Sequence, residues 1–79
     1  MNQNEIINIV ESGLVDLLGV YPDEVTQTTV LKELGMDSLD EVECIMTLED
    51  EFDLEVSDED AIKWRTVGDI VAYFEAALS

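Results

Sequence analysis

The sequence predicts an all-α fold: a small bundle of three main helices plus one short helix, with a long loop between the first and second helices. Three observations carry that prediction. Apolar residues recur at helical spacing in separate segments. Polar helix-start signals precede the later segments. Nowhere is there the sustained alternation that a half-buried strand needs. The 79 residues are read as one domain, 1–79, with a small core.

The first helix is expected from about Asn4 to Leu18. At about 100° per residue, Ile6, Ile7, Val10, Leu14, Leu17 and Leu18 gather within about 120°, the stripe of a core-facing helix. Gly13 weakens it a little, and Gly19 then Pro22 end it. Residues 19–37 form the long connection, with Val20, Val25, Val30, Leu31 and Leu34 as apolar plugs. A loop of that length in a small domain is functional or well pinned. Gly35 to Asp37 lead into the second helix, about Ser38 to Phe52. Ser57 and Asp60 have capping-box spacing and start a short helix reaching about Lys63. Thr66 and Asp69 repeat that spacing before Val67, Ile70, Val71, Phe74 and Leu78, the stripe of the last helix. Extended backbone is expected at most around Leu54 to Val56.

Charge and composition exclude several functions. Asp plus Glu number 20 against 3 Lys plus Arg, a net charge of −17 at pH 7. Nucleic acid and anionic membrane surfaces need a basic footprint and are poor partners for such a chain. An apolar fraction of 47% nevertheless argues against a disordered acidic tail. Histidine is absent, which removes the commonest general base, Ser-His and Cys-His nucleophile arrangements and most zinc sites. A lone cysteine, Cys44, forms no internal disulfide and asks for no oxidising compartment. The first residues lack the basic-then-apolar pattern of a secretory signal, and no apolar run approaches the roughly 18 residues of a membrane span. A soluble, cytoplasmic chain with no membrane insertion is expected. The acids from Glu49 to Asp60 fail the calcium-loop pattern: starting at Asp53, Asp58 stands where glycine is required and Trp64 where glutamate is, so no metal site is expected.

The second helix has one apolar face too many. With Leu39 at zero, Cys44, Leu48, Phe52 and Ile45 lie between about 140° and 240° and form a core stripe. Leu39, Val42 and Met46 form a second arc from about 300° to 0°, with Asp53, Asp50, Glu43 and Glu49 around it. Glu41, near 200°, points toward the core stripe in the first turn, where a carboxylate suits the helix dipole. An apolar ridge with an acidic rim suits the docking of a basic protein, since the centre holds and the charges steer. Packing most of the way round a small bundle is the plainer reading, and the wheel leaves both open. Ser38 begins this helix. Ser38 with Glu41, or Asp37 with Asp40, has capping-box spacing, and capping is the commoner task. A nucleophilic Ser38 has no base, because histidine is absent and neither lysine is near in sequence. Passive covalent modification stays open; a phosphate ester there would lie at the positive end of the helix dipole.

The run Leu34-Gly35-Met36-Asp37-Ser38-Leu39-Asp40-Glu41-Val42-Glu43, continued by Leu48-Glu49-Asp50-Glu51-Phe52, closely resembles the acyl carrier proteins, whose attachment signature is Asp-Ser-Leu. Size, charge sign and helix order agree over essentially the whole chain. The resemblance implies a non-catalytic phosphoprotein in which Ser38 carries a 4'-phosphopantetheine arm installed by a separate phosphopantetheinyl transferase. The arm's thiol would hold acyl groups as thioesters, and tethering raises their effective concentration once the carrier docks. The resemblance further implies apolar docking contacts from Leu39, Val42 and Met46. Asp37, Asp40, Glu43, Glu49 and Asp50 would meet Lys and Arg on acyltransferases, ketosynthases and other biosynthetic enzymes. Val30, Leu34, Ile45, Leu48 and Ile62 are the implied acyl-chain lining, with plain core as the alternative reading of each. A monomer is expected.

Departures from the usual bacterial fatty-acid pattern leave the pathway open among fatty-acid, polyketide and related lipid synthesis. No basic residue precedes Lys32, Trp64-Arg65 replaces a smaller pair, and Cys44, Met36 and Ser57 stand where an aliphatic residue, a small residue and proline are usual. Cys44 is expected as a small buried hydrophobe and Trp64 as a partly buried cover over the core. The competing functions are a specialised carrier of aminoacyl or peptidyl groups and an unmodified acidic protein-interaction domain.

Overall fold

A helix start leaves backbone N–H groups without intrahelical partners, and each helix here opens on a side chain that accepts one of them. The computed structural model describes residues 1–78, with helices α1 (Gln3–Leu18), α2 (Ser38–Phe52), α3 (Asp58–Ala61) and α4 (Val67–Leu78). Asn2 accepts from Glu5 N–H at 2.9 Å, Asp37 from Asp40 N–H at 2.9 Å, Ser57 from Asp60 N–H at 3.2 Å and Thr66 from Asp69 N–H at 3.2 Å. Gly19, at φ 66°, ends α1 in the left-handed conformation that glycine adopts without a Cβ penalty. The long connection is less open than a structureless loop, because 3-10 turns at Pro22–Glu24 and Leu31–Leu34 divide it.

Burial follows the stripes. Ile6, Val10 and Leu14 of α1, Cys44, Leu48 and Phe52 of α2, and Val67, Ile70, Val71 and Phe74 of α4 are buried, joined by Val25 and Val56 from the connections. Ile7, Leu17 and Leu18, at the edges of the first stripe, are half-buried against this core. Phe52 stacks on Phe74 with ring centroids 4.4 Å apart, so the end of α2 meets the end of α4. Gln3 Nε2 reaches Glu75 Oε2 at 3.3 Å, so the start of α1 meets that same end. From these contacts, α1 runs against α2 and α4. Trp64 covers the core edge as expected: half-buried, edge-on to Tyr73 at 5.5 Å and 6.1 Å from Phe74. No described helix is long and apolar enough to cross a membrane.

The extended pairing falls elsewhere than expected. Leu54–Val56 belong to no strand, whereas Val30 and Thr66 form an isolated antiparallel bridge. Leu31 N–H donates to Arg65 O at 2.8 Å, Val67 N–H to Thr29 O at 3.0 Å and Gly68 N–H to Gln27 O at 2.8 Å. The long connection is thereby stitched to the entrance of α4. Asp69 completes the stitch, its Oδ2 accepting Arg65 N–H at 2.9 Å and Thr66 N–H at 3.0 Å. These two backbone donors, Arg65 first, hold the Asp69 carboxyl below the usual carboxylate range. A depressed folded-state pKa contributes stability above the unfolded value of about 3.9 and loses it as pH falls through the folded value. Asp69→Ala is therefore expected to lower urea-unfolding stability by about 1 kcal/mol at neutral pH. The gap from wild type should narrow below about pH 4. A gap independent of pH would mean that the carboxylate charge contributes nothing.

Candidate functional site

Of the two capping boxes open to the sequence, the backbone uses the one centred on Asp37. Asp37 Oδ1 takes Asp40 N–H, and Asp40 Oδ2 accepts Asp37 N–H at 3.3 Å in return. Ser38 is left as the first helical residue. It is exposed, and among the described residues no hydrogen bond engages its hydroxyl. The backbone N–H groups of Ser38 and Leu39 likewise have no acceptor among the described residues. The positive end of a 15-residue helix thus lies beneath a free alcohol. The chain has no histidine to serve as its base, and the Asp37 and Asp40 carboxylates beside it accept cap N–H groups, so the hydroxyl suits a group installed by another protein.

Beyond Ser38 the second arc of α2 faces solvent, which settles what the wheel left open about its packing. Leu39, Val42 and Met46 are 65%, 53% and 59% exposed. Asp37, Glu43 and Asp50 are exposed around them, as is Glu41, which the wheel had turned toward the core. Two of the acids implied for docking have internal tasks. Asp40 is half-buried in the cap, and the half-buried Glu49 accepts Val56 N–H on Oε2 at 2.8 Å, which clamps the chain after α2. This clamp and the one at Asp69 were not foreseen in full; capping-box spacing signalled Asp69, and nothing in the local pattern signalled Glu49.

The five positions implied as acyl-chain lining do not converge. Val30 and Leu34, both half-buried, share a hollow of about 500 Å³ with Val20, Glu24 and Thr29. Ile45 is half-buried and Leu48 is buried in the core, neither in that hollow. Ile62 is 81% exposed, because α3 ends at Ala61 and Ile62 caps it on the outer surface. Cys44 is buried, and burial first, then the Glu41 charge, pushes its thiol up to about 11. Native chain at pH 8 is expected to resist iodoacetamide over a time in which urea-unfolded chain reacts completely. Equal labelling rates would show that the thiol is reachable.

A family model described as phosphopantetheine attachment site matches residues 8–74. Among solved structures, the chain is similar to a solution structure assigned as an acyl carrier protein from Anaplasma phagocytophilum. The two are 40% identical, the match covers 100% of this chain and 94% of that one, and the TM-score is 0.89.

Proposed function

Since the chain belongs to the phosphopantetheine-attachment family and, within it, to the acyl carrier proteins, we propose that Ser38 bears the arm and that the exposed face of α2 presents it to partner enzymes. The family is one of non-catalytic carriers holding 4'-phosphopantetheine covalently and working with transferases and biosynthetic enzymes. The observation that carries the assignment is the Ser38 hydroxyl, exposed at the first position of α2 and without a hydrogen-bond partner among the described residues. A phosphodiester fits there: the alcohol is reachable, the helix end is positive, and the neighbouring Asp37 and Asp40 carboxylates accept cap N–H groups. When bound, the arm supplies a terminal thiol that holds acyl groups as thioesters.

The chain's own residues do the rest. The Asp37–Asp40 cap fixes where α2 begins and so where the tether leaves the fold. Leu39, Val42 and Met46 offer the apolar centre of a landing surface, and Glu43 and Asp50 supply charge that speeds the approach of a basic partner. Burial keeps the Cys44 thiol from competing for the thioester. A phosphopantetheinyl transferase is the first partner. Acyltransferases and ketosynthases of fatty-acid, polyketide or related lipid synthesis are the later ones.

The test is to incubate the chain with a phosphopantetheinyl transferase and coenzyme A, digest it and map the added mass. The mass is expected on the peptide containing Ser38. Mass on a peptide containing Ser12 or Ser57 instead, or no added mass, overturns the assignment.

A further inference from the structure

Gly13 lies in the middle of α1, where glycine weakens a helix relative to alanine. Its backbone does not require it, since the described glycines with positive φ are Gly19 and Gly35. Packing does not require it either. A Cβ at Gly13 would meet Leu48 Cδ2 at 3.9 Å, an ordinary contact. Bare backbone at this position instead deepens a groove of about 440 Å³ between α1 and α2. Ile9 and Leu17 flank Gly13 along its floor, one helical turn to either side, and Thr47 faces them from α2.

Asn8 and Ser12 line the α1 edge of the groove, and two carboxylates stand in it as well. Because α1 runs against α2, Glu51 lies toward the Ile9 end and Asp16 toward the Leu17 end. No Lys or Arg occurs in α1 or α2, and no ion pair among the described residues engages either acid. An apolar floor with an unpaired anion toward each end is complementary to an apolar side chain flanked by cations. On α2, Thr47 and Glu51 lie near 80° and 120° on the wheel, next to the ridge of Leu39 and Met46. A protein covering that ridge therefore reaches the groove.

We propose that the α1–α2 groove is a second docking site, for a basic amphipathic helix of a partner protein. An apolar residue of that helix sits over Gly13, and its Lys or Arg residues meet Asp16 and Glu51. The site operates whether or not Ser38 carries an arm.

The probe is a synthetic Leu/Lys amphipathic helical peptide, titrated into the isotope-labelled full chain and followed by NMR, with polylysine of equal charge as control. Saturable amide shifts are expected at Ile9, Gly13, Leu17 and Thr47, with polylysine at least tenfold weaker. Gly13→Ala is expected to raise Tm yet weaken the peptide threefold or more, a split that a merely structural glycine would not give. Asp16→Asn combined with Glu51→Gln is expected to weaken it tenfold or more at low salt, with the fold unchanged. Ser38→Ala should bind the peptide like wild type, so failure of the attachment assignment and failure of the groove are told apart. Shifts confined to Leu39, Val42 and Met46, or a Gly13→Ala chain that binds as tightly as wild type, overturn the proposal.

Discussion

Ser38→Ala is expected to abolish transferase-dependent mass addition while leaving unfolding free energy within about 0.5 kcal/mol of wild type. The two readouts separate because the hydroxyl holds nothing within the fold: no hydrogen bond engages it among the described residues, and the cap belongs to Asp37. Alanine is also the better helix former, which offsets any small loss of solvation. Asp37→Ala makes the contrast. It removes the acceptor of Asp40 N–H and should cost about 1 kcal/mol, a fall in Tm of roughly 4–8 °C for a domain of this size. Melting curves and intact masses of both variants decide the matter. A Ser38→Ala chain that melts as early as Asp37→Ala would make the serine structural. Residual mass addition on it would point to another acceptor.

The parts of the fold that could be read in advance are those with a local cause. Residues Ser38 to Phe52 were readable as a helix because the Asp37 region supplies cap chemistry and the 100° period persists to Phe52. The same period exposed the second arc, since Leu39, Val42 and Met46 share a face that the core stripe does not use. The choice between the two boxes was not readable. Both pairs are three residues apart, and a shift of one residue in the helix start exchanges them. The stitching of the long connection to α4 was hidden for a different reason: the bonds at Gln27, Thr29 and Arg65 join backbone to backbone and leave no side-chain pattern. Ile62 was implied by the resemblance alone, since α3 is a four-residue helix, too short for periodicity to fix which way the residue after it faces. Glu49 sits on the rim by angle, yet its side chain reaches the chain seven residues on.

Gly68→Ala is expected to destabilise the chain by about 2–4 kcal/mol, although alanine favours a helix over glycine by about 1 kcal/mol. Gly68 sits in the first turn of α4, and its N–H donates to Gln27 O at 2.8 Å. A Cβ there would stand 2.8 Å from that same oxygen and 3.6 Å from the Gln27 carbonyl carbon. The obstacle is backbone, and the neighbouring Thr29 and Leu31 are tied to Val67 and Arg65, so Gln27 cannot withdraw alone. Relief requires lifting the connection from the entrance of α4, which sacrifices up to three backbone bonds of about 1 kcal/mol each. A small domain has little reserve, with total stability of order 5 kcal/mol. The same substitution at Gly13, where a methyl group meets only an ordinary contact, should act with the opposite sign and stabilise by about 0.5–1 kcal/mol. Urea unfolding of the two variants measures both signs, and hydrogen exchange at the Leu31 and Val67 amides, faster in Gly68→Ala alone, locates the lifted segment. Stabilisation by Gly68→Ala would mean that the long connection is not pinned to α4 through Gln27.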